Sequence, residues 1–278
     1  MDLLKTSEAA YKALWLRQAF SNTGVISSWG DEDVIRWYQA VEHKGKRPPE
    51  MKHPPPVDFK KAYDLTTGDC VVFSLQVDKE MEGRGKGSGQ QVHTGRRGAN
   101  VRKSHDDHKT LVVMDSSARR AFLLQDGKEH SFHSDPSRGE ATTWKLAENG
   151  LTDGKGHLFK HFTAQEVWEK TSRQQWGQKT VIILFRDWSG DIGTFRGRIF
   201  FEPSKGKVTC NPPLGSTDAE TLSQEFPLSD VPSVTITIKA LDEFVEDQLA
   251  SPAQAQWRCL RPSFHRLLRL WAQRNEKI

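Results

Sequence analysis

The chain has 278 residues, 36% hydrophobic and 27% charged, with a net charge of +4. It is long enough to bury a core without disulfide or metal staples, and too apolar for a disordered chain. Three cysteines with no C-x-x-C pair exclude a disulfide framework and a paired-cysteine zinc site. No cationic leader precedes an apolar run, and no stretch reaches the roughly 18 apolar residues of a membrane span. The expectation is a cytoplasmic or nuclear protein that meets no membrane.

Residues 7–20 predict an amphipathic helix with Ser7 as N-cap and Tyr11, Leu14, Trp15 and Phe20 near one face. A second helix begins after Gly30-Asp31 and stops before a linker, 43–56, whose five prolines forbid continuation. The alternation of Val71, Phe73, Leu75 and Val77 predicts a strand. Residues 84–109, glycine-rich and without apolar period, predict a mobile loop.

Segments 110–115 and 119–125 pair as a hairpin, and 127–157 is expected to be irregular. A capping box, Thr163 to Glu166, starts a helix that runs to about Trp176 and stops at Gly177. Segments 180–185 and 192–201 form a second hairpin, 207–210 a short strand, and the β-branched run 233–239 another strand. A helix over 241–250 follows, and a last helix takes Pro262 in its first turn. This order predicts an α+β fold, one domain over 1–278. Its sheet is mainly antiparallel (hairpins near 110–125 and 180–201), flanked by N-terminal, central and C-terminal helices.

The charge is uneven. Residues 84–109 hold seven cations, Arg84, Lys86, Arg96, Arg97, Arg102, Lys103 and Lys109, against Asp106 and Asp107. The stretch nets +5, more than the whole chain. Arginine and lysine spaced by glycine suit a phosphate backbone, and the last helix adds Arg266 and Arg269. The first expectation is therefore binding or processing of nucleic acid, RNA (including tRNA) or DNA, or contact with another polyanion.

A second expectation centres on Cys70, in Gly68-Asp69-Cys70-Val71-Val72-Phe73-Ser74. Papain-like enzymes place their nucleophile after such a turn, at a helix N-terminus that favours the thiolate. Residues 68–75 resemble the nucleophile segment of ovarian-tumour-type deubiquitinases. That family keeps an Asp three positions before the Cys, where this chain has Thr67. The resemblance implies a hydrolase or transferase with Cys70 as nucleophile and a histidine base. The candidate bases are His130, His133, His157 and His161, with Asp135 beside His133 as orienter. A non-enzymatic interaction protein is the third expectation. The residues name no cofactor, metal or oligomeric state.

Overall fold

The computed structural model describes residues 2–42, 54–55, 69–93, 98–103, 109–133, 141–148, 150–211, 223–249 and 251–274. Most of the linker, and Arg96, Arg97 and Asp135, therefore lie outside the described residues. Helices and antiparallel sheets make up an α+β fold, as expected. Among the described residues no helix is long and apolar enough to cross a membrane.

The chain forms two compact units within the span expected to be one domain: 1–14, 70–169 and 188–193 make the first, and the remainder the second. The first begins with helix α1 (Leu3–Arg17), where Ser7 lies buried inside the helix rather than capping it. The second holds β1 (Phe20–Ser21), α2 (Thr23–Ser27) and α3 (Asp31–Glu42). Three acidic residues, Asp31, Glu32 and Asp33, open α3, where they complement the helix dipole.

Helix α4 (Cys70–Gly83) replaces the strand expected there. Residues 71–77 are all buried, so the odd-numbered apolar positions that look like strand alternation belong to a helix enclosed on every side. The stretch expected as one loop over 84–109 contains β2 (Gln90–His93) and β3 (Gly98–Lys103). With β4 (Thr110–Asp115), β5 (Arg120–Gln125) and β9 (Lys160–Phe162) these form one sheet, in the order β5-β4-β3-β2-β9. The segment expected to be irregular supplies a second, three-stranded sheet of β6 (Glu129–Phe132), β7 (Thr142–Ala147) and β8 (Gly150–Asp153). Helix α5 (Ala164–Trp176) carries the expected capping box: Glu166 accepts from Thr163 N at 2.8 Å.

The remaining sheet, β1-β10-β11-β12-β13, contains the expected second hairpin, β10 (Val181–Ser189) with β11 (Ile192–Glu202), and β12 (Lys207–Asn211) as foreseen. Strand β13 (Gln224–Pro227) completes it. The β-branched run 233–239 is not a strand. It lies in helix α6 (Val231–Gln248), opened by Asp230 as N-cap in a capping box with Ser233. Val234, Thr237, Leu241, Phe244 and Val245 form its buried stripe. Helix α7 (Ser251–Gln273) holds Pro262 in its interior, not in its first turn.

Candidate active site

The two faces of the β5-β4-β3-β2-β9 sheet have different company. Val92, Ala99, Val101, Leu111 and Val113 join a core with Trp144 and Leu151 of the three-stranded sheet. Side chains alternate along a strand, so Gln91 and His93 on β2, and Gly98, Asn100 and Arg102 on β3, point to the other face. Contacts with α4 confirm the assignment. Ser74 Oγ lies 3.0 Å from Gln91 Oε1, and Asn100 Nδ2 donates to Asp78 Oδ1 at 2.9 Å.

The direction of packing follows from the same contacts. A Cβ on Gly98 would come within 3.0 Å of Val71 Cα and 3.2 Å of Ser74 Oγ, whereas Asn100 and Arg102 reach Asp78 further along the helix. Strand β3 thus runs parallel to α4, and its antiparallel partner β2 runs against it. Moving from Gln91 to His93 is moving toward the N-terminus of α4. Cys70, Ser74 and Asp78 share one stripe of α4 at i, i+4 and i+8. Four helical residues advance about 6 Å and two strand residues about 6.6 Å. His93 pairs with Gly98, which packs on Val71, so His93 lies toward the end of α4 that Cys70 heads.

Cys70 is half-buried and heads the helix, while His93 is 4% exposed and packs edge-on to Phe162, ring centroids 5.8 Å apart. None of the four histidines picked out from the sequence faces α4. His130 stacks on Phe122 (4.0 Å, 16°), a residue of the Trp144 core on the opposite face. Burial, then the nearby Arg120, lowers its pKa from the ordinary histidine value. His133 follows β6 and is exposed. The His157 ring meets Asp153 Oδ2 at 3.0 Å in an exposed turn, and His161 pairs with Val92 on the Trp144 side.

The basic residues are dispersed. Arg102 is 4% exposed and locked in place: it pairs with Asp78 and donates to Asn100 Oδ1 (3.1 Å), Lys86 O (2.9 Å) and Gly87 O (2.5 Å). Burial lowers its pKa, with Asp78 opposing. It is a structural residue, not a free phosphate ligand. Arg84 pairs with Glu80 at 3.0 Å. Arg266 holds Asp31 and donates to Ser27 O and Trp29 O at 2.8 and 3.1 Å, closing the end of α2. Among the described residues Lys86, Lys103 and Arg269 carry no ion pair; the first two line a cleft of about 490 Å³ beyond the C-terminus of α4.

Sequence reasoning missed His93. It sits in Gln90-Gln91-Val92-His93, whose alternation was the available signal, but the surrounding glycines and arginines masked it. The chain matches no family model, no curated protein and no solved structure.

Proposed function

We propose that the protein is a cysteine-nucleophile hydrolase or acyltransferase in which Cys70 attacks a carbonyl and His93 is its base. The observation that carries this reading is the Ser74–Gln91 contact, which supports a register with Cys70 and His93 one step further toward the start of α4. The first turn of a 14-residue helix supports it chemically. Its dipole favours thiolate over thiol. The catalytic cycle would follow the usual order. His93 takes the thiol proton, Cys70 Sγ adds to the carbonyl, and His93 returns the proton to the leaving group. Water or a second nucleophile then releases the acyl group.

The polyanion reading has less support, since Arg102, Arg84 and Arg266 are already held by carboxylates.

Iodoacetamide labelling, read by peptide mass, tests the proposal. A thiol of ordinary pKa, about 8.5, reacts roughly 150-fold more slowly at pH 6 than at pH 8.5. Cys70 is expected to keep most of its reactivity at pH 6 and to lose it in His93→Ala, with exposed Cys259 as internal comparison. A Cys70 that follows the ordinary thiol curve, or resists label throughout, overturns the assignment.

A further inference from the structure

Arg102 holds the glycine-rich turn beyond α4 with its carbonyls inward. The buried guanidinium donates to Lys86 O at 2.9 Å and to Gly87 O at 2.5 Å. Both peptide units are trans, so the N–H of each points opposite to its carbonyl. With these two carbonyls drawn in, the N–H groups of Gly87 and Ser88 are turned out, away from the guanidinium. Neither has an acceptor among the described residues, whereas Lys86 N beside them is bonded to Met81 O at 3.1 Å. Gly85 at φ 71° and Gly87 at φ 65° flank Lys86, whose φ is negative. Alternation of this kind gathers successive N–H groups into a concavity that attracts an anion.

The turn borders the cleft of about 490 Å³ that Lys86 and Lys103 line, with Leu3 and Val101 as its apolar wall. Its volume falls in the usual range of small-molecule sites, roughly 300–1,000 Å³. Arg102 takes up Asp78, which leaves Glu82 as the opposing charge at the turn, its Oε1 accepting from Ser88 Oγ at 2.6 Å. We propose that this cleft binds a small phosphate monoester. The Gly87 and Ser88 amides and the two ammonium groups hold the phosphate oxygens, and Leu3 and Val101 meet the ester group. Four such donors suit a tetrahedral dianion with three terminal oxygens better than a carboxylate with two. A longer polyanion would need cations outside the cleft, and neighbouring Arg84 is already held by Glu80. The 14 residues of α4, about 20 Å, separate this site from Cys70, so it stands apart from the thiol chemistry.

Isothermal titration calorimetry at about pH 7.5, where a monoester is mostly dianionic, tests this with phenyl phosphate, inorganic phosphate and a thymidylate octamer. Phenyl phosphate is expected to bind one to one, and more tightly than inorganic phosphate, which leaves Leu3 and Val101 untouched. Lys86→Ala and Lys103→Ala should each weaken it about tenfold, since each removes a charge-assisted hydrogen bond. Glu82→Gln should tighten it about threefold by removing the opposing charge. Lys145→Ala, at an exposed position of β7 outside the cleft, should leave it unchanged. Circular dichroism checks the fold of each variant. No saturable binding of phenyl phosphate overturns the proposal, as does wild-type binding in Lys86→Ala and Lys103→Ala. Equal weakening by Lys145→Ala also overturns it, since that marks general attraction to a basic chain. Inorganic phosphate that binds as tightly as phenyl phosphate overturns the monoester assignment. An octamer that binds through Lys86 and Lys103 while phenyl phosphate does not overturns it in favour of nucleic acid.

Discussion

Asp78→Ala is the sharpest test of how β2 and β3 are held to α4. The Asp78 Oδ1 atom accepts from Gly89 N at 2.7 Å and Asn100 Nδ2 at 2.9 Å, and it pairs with Arg102. The Arg102 side chain is 3% exposed and that of Asp78 15%. Removing the carboxylate leaves a guanidinium in the interior with only the carbonyl and amide oxygens around it. Breaking one side of a buried pair costs about 3–5 kcal/mol. The remaining oxygens soften this, so a loss of about 3 kcal/mol is expected, a large share of a typical total of roughly 5–15 kcal/mol. Arg102→Met removes the charge itself and should cost less, about 2 kcal/mol, because the surviving carboxylate is more exposed and can hydrate. The double mutant should then fall short of the sum by about 1–2 kcal/mol. Urea unfolding followed by tryptophan fluorescence measures all three. A loss below about 1 kcal/mol for Asp78→Ala would refute the reasoning and return Arg102 to the surface charges.

Gly98→Ala forces the first turn of α4 back by a few tenths of an ångström. It should cost about 1–2 kcal/mol and also slow Cys70 alkylation at pH 6; unchanged stability and unchanged labelling together would contradict the close packing described. Gly206 has φ 57°, and a Cβ there would lie 2.8 Å from Leu228 O, whereas Gly85, at φ 71°, faces open space. Gly206→Ala should therefore lower the urea midpoint clearly more than Gly85→Ala, the first carrying a clash beyond the roughly 1 kcal/mol of left-handed strain common to both. His130 has its pKa lowered by burial and then by Arg120, and His265 by burial and then by Arg269 and Arg261 against Asp242. For both, the unfolded chain takes up protons first, so their contribution is full above about pH 6.5 and declines as pH falls from there toward the folded values. Urea midpoints should drop over that window, and His130→Phe, which keeps the stack on Phe122, should make the drop shallower.

The elements that were legible in the sequence are those bounded by clear turn or cap chemistry. The hairpin at 180–201, the helix from Asp31 and the capping box at Thr163 add a half-exposed periodic face, and the fully buried strand 110–115 is a short apolar run bounded by polar residues. Legibility failed where a buried run is helical or where a cap outweighs propensity. Helix α4 buries seven consecutive residues, which erases the 3.6-residue signal and leaves an accidental alternation. In α6 the β-branched run is held helical by the Asp230–Ser233 box and the buried Val234–Leu241 stripe. Strand β3 is written in glycine, asparagine and arginine, and five of its six residues are buried because Asp78 absorbs the polar groups. Reading β3 and its partner β2 as solvent-facing loop hid His93, which ends β2. Cys70 stands out in its local motif, whereas the base proposed for it depends on long-range register.

The packing of α4 on β3, with β2 paired beside it, works as a vernier. Four helical residues and two strand residues advance by nearly equal amounts, so coincidences between the two scales recur only in whole steps. Shifting β2 by a single residue would turn His93 to the Trp144 side and bring Val92 to the helix. There is no intermediate setting in which the imidazole is merely a little misplaced along the strand. Whatever alters the length of the turn at 84–89 must be absorbed inside that turn, and variation there is filtered by parity before it is filtered by size.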